Sequence, residues 1–480
     1  MIKISSQKNC NDYANYLKRQ FNNCDDFNLR KIILQSGQTV YLANLGNYSD
    51  RNFISETIIK PIMHTKSAIT CADDFFAHVS SSEFSQINQD EVTNKILMGC
   101  AIVFTTIDSN NVFFCATAKR GNSRSVSEPD SEVVVRGPRE GFIENSEDNV
   151  ALIRKRLRTC NLKAQNIKLG TITHTNVTIM YIEGVADSNT IQKVKEVLSK
   201  INLPGIMDSG YIEHYLQNST LSLFTNVGNS EKPDKVCAKL LEGRIAIICD
   251  GSPVVLTVPY LLIEGLQSSE DYLKTPIYAS FLRIIRIIAS LIAIYLPSIY
   301  LAVLEHHTGN LPYKLYKTVI TSRENVPFSV FAELFVILII FEIIREVSLR
   351  MPRAVGDAVG IVAGLILGDA AISAGITSPP VIMVASLTAV SSFIVPPFMN
   401  SIVLIRFLNL LLSKFFGFAG IMLSIVFFTA ELCKKESFGV PYLTPFSPLS
   451  KRGFADGIFL FPKKALSNTT SELKSRRSKH

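Results

Sequence analysis

"EGRIAIICDGSPVVLTVPYLLIEGLQSSEDYL" occupies residues 242–273, immediately before the chain turns strongly apolar. Two β-prone runs, Ile245 to Cys249 and Val254 to Val258, flank Asp250-Gly251, a strong short-range hairpin signal. The hairpin belongs to a water-exposed sheet, whereas the residues after it are too apolar for one. The stretch therefore divides the 480-residue chain into a sheet-containing front half and a helical rear half.

Charge follows the same division. From residue 281 onward there are 20 Lys/Arg against 11 Asp/Glu, whereas the first 280 residues hold 29 against 30. Excess positive charge confined to the apolar half reads as membrane topology, and no nucleic-acid partner is expected. The nine cysteines are scattered without any C-x-x-C pair, so neither a metal site nor a disulfide framework is expected. "MIKISSQKNCNDYANYLKRQF" has no apolar run behind its basic residues, and the N-terminal region is expected to stay in the cytoplasm.

Four apolar stretches follow the hairpin. Residues 287–304, "IIASLIAIYLPSIYLAVL", are uncharged over roughly 27 Å of helix and contain Pro297. Residues 328–344 carry Glu333 and Glu342, the latter spaced to pair with Arg345. Residues 379–396 are uncharged, and residues 402–430 are interrupted by Arg406 and Lys414. Beyond Glu431 the tail has ten Lys/Arg and three Asp/Glu, so it too is expected in the cytoplasm. Both ends on one side require an even number of crossings, so either 355–374 or 402–430 must be re-entrant, interfacial or doubled.

Residues 355–374 are the most informative of the rear half. Gly356, Gly360, Gly364 and Gly368 recur at four-residue spacing, a groove for close helix approach. The adjacent ridge is Asp357, Ile361, Leu365 and Asp369, with carboxylates about 18 Å apart and an apolar middle that includes Val362. Carboxylates inside a membrane point to an ion path, and an apolar constriction between acidic rings suits a gated cation pore. Glu333 is a further candidate for that path.

The front half alternates helical patterns with β-rich runs at 39–45, 54–63, 101–107 and 111–118. It reads as one small α/β domain, a polar Gly/Ser/Pro-punctuated linker, and a second α/β domain ending in the hairpin. The boundaries are 1–118, 119–145 and 146–275, followed by a membrane domain at 276–432 and a basic tail at 433–480. The cluster Arg154, Lys155, Arg156 and Arg158 reads as a solvated face or an anion-binding patch. No phosphate loop, nucleophile elbow or H-E-x-x-H is present, so no catalytic residue, cofactor or metal is expected.

"VSEPDSEVVVRGPREGF" (126–142), "MDSGYIE" (207–213), "LLEGRIAIICDGSPVVLTVP" (240–259), "QSSEDYL" (267–273), "SRENVPF" (322–328) and "SFGVPYLTPFSP" (437–448) resemble the A subunit of GerA-type spore germinant receptors. The resemblance runs from about residue 10 to 465. It implies two cytosolic α/β subdomains followed by an all-α polytopic membrane domain of four to six helices. It also implies a homo-oligomeric, pentameric cation channel in the inner membrane of the spore. The implied partners are a transporter-like B subunit, a lipoprotein C subunit and membrane lipid. An accessory scaffold or transporter-like relative from sporulation is the alternative. In either case Asp250 and Gly251 are expected to couple the soluble domain to the first span.

Overall fold

The computed structural model describes residues 9–65, 68–79, 84–107, 110–118, 132, 136–217, 222–351, 368–449 and 456–461. The front half contains two five-stranded antiparallel sheets. The first comprises β1 (Phe27–Ile33), β2 (Thr39–Leu45), β3 (Phe84–Ile87), β4 (Ala101–Ile107) and β5 (Asn110–Ala116), in spatial order β1-β2-β4-β5-β3. The second comprises β6 (Leu162–Leu169), β7 (Thr175–Ile182), β8 (Gly228–Ser230), β9 (Ile245–Cys249) and β10 (Val255–Val258), in spatial order β6-β7-β9-β10-β8. Renumbered from its own first strand, the second order is identical to the first.

The helices repeat as well. In the first domain, α1 (Cys10–Gln20) and α3 (Val92–Leu97) cover one sheet face, where Tyr13, Leu17, Val92 and Ile96 meet Tyr41, Ala43 and Phe104. The helical segment 51–64 and α2 (Ala72–His78) cover the other, bringing Ile54, Ile58, Ile62 and Phe75 against Val40, Leu42 and Val103. In the second domain, α4 (Ser146–Arg156) and α7 (Pro233–Leu241) take the places of α1 and α3. There α5 (Ser188–Ser199) and α6 (Ser209–Leu216) take the other face. Burial on both faces explains why central strands such as β9, "IAIIC", read as continuous apolar runs.

Residues 54–63, expected to be β-rich, are helical, with a π-helical stretch at Ile54–Ile59. Ile54, Ile58 and Ile62 recur every fourth residue and all face the sheet. That helical period outweighed the β-branched composition.

The two domains meet at equivalent first strands. Cys24, just before β1, bridges in parallel to Ala164 of β6, and Asp25 N–H donates to Ala164 O at 2.8 Å. Arg154 of α4 forms a bidentate ion pair with Asp26, both side chains 1% exposed. Of the basic cluster, Lys155 and Arg156 pair with Glu140, and Arg158 donates to Lys155 O. Most of that patch is a structural network joining helix, linker and neighbouring domain.

The rear half is helical: α8 (Pro276–His306), α9 (Tyr313–Thr321), α10 (Val330–Arg350), α11 (Pro379–Ser392) and α12 (Met399–Lys434). Leu301, Leu334, Leu338, Val384, Ala385 and Leu410 form the shared core of α8, α10, α11 and α12. Among the described residues, two helical stretches are long and apolar enough to cross a membrane, Pro276–His306 and Pro396–Lys434.

The second of these is folded on itself. At Gly417 the backbone leaves the helix, with φ 55° and ψ −134°. Ser424 Oγ then donates to Asn409 Oδ1, although fifteen residues of straight helix would hold them about 22 Å apart. A Cβ on Gly420 would lie 2.3 Å from Leu412 O, so the returning arm rests directly against the outgoing backbone. The stretch 402–430 is thus a helical hairpin, a shape common to the doubled and the re-entrant alternatives that charge parity left open.

Two features tie the hairpin to α8. Pro297 lacks an N–H, which leaves the carbonyl of Ala293 without its helical donor. The buried Arg406 supplies one, Nε to O at 2.9 Å. Arg406 also faces Glu342 at 3.4 Å, and Glu342 pairs with Arg345 at 2.6 Å, as their spacing predicted. At the far end of α8, Lys414 pairs with Glu305 at 2.8 Å beside the Gly417 turn.

Candidate functional site

The second sheet, the bundle and the tail converge at one junction. Its base is Glu264, buried beneath β9 and β10. Arg244, just ahead of β9, pairs with it at 2.8 Å, Lys239 of α7 approaches at 3.3 Å, and Leu261 N–H donates to it at 2.9 Å. Burial pushes the Glu264 carboxyl up, but the Arg244 and Lys239 charges outweigh it and hold its pKa below the usual range. Burial pushes Lys239 down to about 8, with Glu264 opposing.

Five residues before α8 begins lies a second network, built around Asp271. Asp271, fully buried, accepts from Arg286 at 2.7 and 2.9 Å and from Arg283 Nε at 3.2 Å. Arg283 also donates to Asp456 O at 2.8 Å, Gly457 O at 2.7 Å and the Asp456 carboxylate at 3.2 Å. Tyr272 OH donates to Asp456 Oδ2 at 2.8 Å. Burial raises the Asp271 pKa, but the arginines and the Ser268 N–H more than offset it and the net shift is downward. For Asp456 burial prevails over Arg283, and the carboxyl is held above its ordinary value.

The tail completes the junction. Strands β11 (Glu436–Ser437) and β12 (Val440–Pro441) form a small hairpin. Ser437 Oγ accepts from Tyr260 N–H at 3.0 Å and donates to Asn226 O at 2.8 Å. Leu262 N–H donates to Tyr442 O at 3.1 Å. Tyr260, Ala293, Val395, Phe398, Ile402 and Tyr442 share one apolar cluster. The tail, read from sequence only as a basic cytoplasmic extension, thus clasps the second sheet to α8 and α12. Beside the clasp, a cleft of about 640 Å³ opens between β8 and the bundle, lined by Glu132, Lys235, Glu264, Arg286 and Asn400 among others.

The sequence-predicted residues fall elsewhere. Asp250 and Gly251 form the turn, with Ser252 N–H donating to Cys249 O at 3.3 Å. Gly251 has φ +86°, whereas Asp250 is not among the positive-φ residues. A type I′ turn needs both positive; this arrangement fits type II, where only the third residue must be. The turn lies at the end of the strands away from Arg244 and Tyr260. It contacts α4 through Ser146, which donates to Asp250 Oδ1 at 2.6 Å, and α6 through the Ser252–Asp208 hydrogen bond at 2.6 Å. The open base of the hairpin, rather than its turn, touches the bundle.

Glu333 is 3% exposed and fully engaged. It pairs with Arg323 at 2.8 Å and accepts from Ser378 N–H at 2.9 Å at the start of α11. Gly368 and Asp369 lie in a helical turn at 368–373, with Gly368 beside Ile382 and Asp369 exposed. Gly356, Asp357, Gly360, Ile361, Val362, Gly364 and Leu365 lie outside the described residues. The stretch "PYLLIEGLQSSEDYL" forms two short helical turns, Leu262–Gly265 and Ser269–Leu273. Each presents its acidic residue to the network. Sequence reasoning missed Glu264, Asp271 and Asp456 because their partners are distant along the chain. The only local signals were the "QSSEDYL" block and a solitary Asp in a basic tail.

The model of the Bacillus/Clostridium GerA spore germination protein family matches residues 15–471. This chain belongs to the GerA family. It is 34% identical over 454 residues to spore germination protein KA of Bacillus subtilis, covering 93% of this chain and 83% of that protein. It is 36% identical over 442 residues to the uncharacterized membrane protein YfkQ of the same organism, covering 91% and 86%. The N-terminal domain of the A subunit of the Bacillus megaterium spore germinant receptor GerK3 aligns at 22% identity and a TM-score of 0.41, over 54% of this chain and 97% of that one. Of the blocks that carried the GerA resemblance, 240–259, 267–273 and 437–448 contribute Arg244, Asp271, Tyr272, Ser437 and Tyr442 to the junction.

Proposed function

We propose that this chain is the A subunit of a nutrient-responsive germinant receptor of bacterial endospores, and that it assembles into an oligomeric channel passing cations when nutrient is sensed. Membership of the GerA family across nearly the whole chain carries the germination role. The clasped junction supports a mechanical role. Arg283 lies on α8 itself yet is held by carboxylates from both the sheet-domain exit and the tail, so any displacement of the second domain is delivered to the bundle. The subunit acts without catalysis, beside a transporter-like B subunit that takes the nutrient and a lipoprotein C subunit. The doubled α12, with α8, α10, α11 and the glycine-rich stretch 355–374 read as spans, makes six crossings of the inner spore membrane. The sheet domains and tail then lie on the cytoplasmic side.

The test is ion flux through the reconstituted, purified complex, with its copies of this chain counted. Gly364→Leu should abolish assembly or opening, and Asp369→Asn should weaken cation conduction with assembly intact. Val362→Ala or Leu365→Ala should leak without nutrient. Parent-like conduction and gating in all four would remove the pore from this segment. The alternative reading is a membrane protein of sporulation without receptor activity; a complex that conducts no ions with any nutrient would support it.

A further inference from the structure

The short helix α9 has no place in the bundle core. Its nine residues are too short to cross a bilayer, and of them only Val319 is buried. At about 100° per residue, Leu315, Val319, Tyr316, Ile320 and Tyr313 occupy one arc and Lys317, Thr321, Lys314 and Thr318 the opposite one. Leu315 is 51%, Ile320 42% and Tyr313 75% exposed. The helix is nonetheless fixed in place. It follows the end of α8 closely, and just beyond its own end Arg323 is bound to Glu333 of α10 and to Phe328 O. Those anchors lie at the end of the bundle remote from the sheet domains.

The lysines are the second observation. A loop carried across a membrane is normally poor in Lys and Arg. Arg323 is consumed by Glu333, but Lys314 and Lys317 have no ion-pair partner among the described residues. An amphipathic helix with lysines on its polar arc and Tyr and Leu on the other has the composition of a helix lying in a bilayer interface.

We propose that α9 lies in the plane of the bilayer surface, its Tyr313, Leu315 and Ile320 side sunk toward the acyl chains and Lys314 and Lys317 against the phosphates of anionic lipids. Charge complementarity and the exposed apolar face that α8 also presents, which includes Leu291, favour lipid over a protein partner. The inference rests on the membrane reading proposed above. It adds a lipid contact at the outer end of the bundle that would hold the α8–α10 connection level with the headgroups.

The chain contains no tryptophan, so a single Trp reports one position. The full chain is reconstituted in vesicles of brominated phosphatidylcholine or brominated phosphatidylglycerol, carrying Leu315→Trp, or Leu291→Trp as the reference. Leu315→Trp should be quenched by lipid bromines and shielded from acrylamide. Quenching should be severalfold stronger with brominated phosphatidylglycerol, and Lys314→Glu with Lys317→Glu should erase that preference. Strong acrylamide quenching at Leu315→Trp would overturn the proposal, as would shielding from both quenchers, which would mark a second copy or another protein covering the helix. Equal quenching by the two lipids would overturn the lysine–phosphate contact. If Leu291→Trp is also untouched by bromines, the membrane reading itself fails; if Leu291→Trp is quenched and Leu315→Trp is not, only the present inference does.

Discussion

Asp271 and Asp456 hold the same arginine with opposite consequences for pH. Asp271 is the indispensable partner. Asp271→Asn would leave Arg283 and most of Arg286 buried without their main countercharge, at about 3–5 kcal/mol. Its folded pKa is lowered, so its contribution is complete above the ordinary carboxylate range and is lost as pH falls through the lowered value. Asp456 has a raised folded pKa, so the folded chain takes up its proton more readily than the unfolded one. Its contribution is therefore greatest in acid and declines as pH rises through the raised value. Proteolytic release of the tail, followed against pH, should show both branches. Asp456→Asn should remove the declining one and cost far less than Asp271→Asn, because the carbonyls of residues 456 and 457 still bind Arg283.

Two elements depend on a left-handed or open backbone. In the β9–β10 hairpin, Gly251 has φ +86° and a Cβ there would meet only Met207 O at 3.7 Å, an ordinary contact. The cost of Gly251→Val is thus backbone strain alone, about 1–3 kcal/mol, read as a lower thermal midpoint; Gly251→Asn should cost less because Asn tolerates this region. In α12, the Asn409–Ser424 hydrogen bond exists only because Gly417 turns the helix back. With Cys71 and Cys433 replaced, Asn409→Cys with Ser424→Cys should form an intramolecular disulfide on oxidation. Adding Gly420→Leu, which drives a side chain into Leu412 O, should suppress it. A disulfide that forms equally well in the presence of Gly420→Leu would mean the arms do not touch there.

Across the whole molecule, rigidity rests on a few buried charges at the seams. Between the sheet domains the seam is Asp26–Arg154, both side chains 1% exposed. Removing one partner is worse than removing both, since a lone buried ion has nothing to offset its lost hydration. Arg154→Met should cost about 3–5 kcal/mol, and adding Asp26→Leu should restore much of it, measured by denaturant unfolding of the purified chain. Between the second domain and the bundle the seam is the Asp271–Arg283–Asp456 network. The duplicated sheet order places α4, which carries Arg154, where α1 stands in the first domain, so the same architecture serves once as an outer module and once as the module bound to the bundle.

The sequence by itself determined the division at the 242–273 hairpin, the limits of β2, β4 and β9, the apolar helices and the GerA relationship. All of these rest on local periodicity, turn chemistry or contiguous motifs. It left the repeat of the two sheets unseen, because the repetition is in strand order while the side chains differ. It also left open which segment folds back. Gly417 is one glycine in an apolar run, and only the packing of Gly420 on Leu412 and of Ser424 on Asn409 makes it a reversal. Tertiary structure alone decided the junction, because Arg283 and Asp456 are 173 residues apart. A lone Asp in a basic tail acquires its role only when the chain brings a buried guanidinium against it.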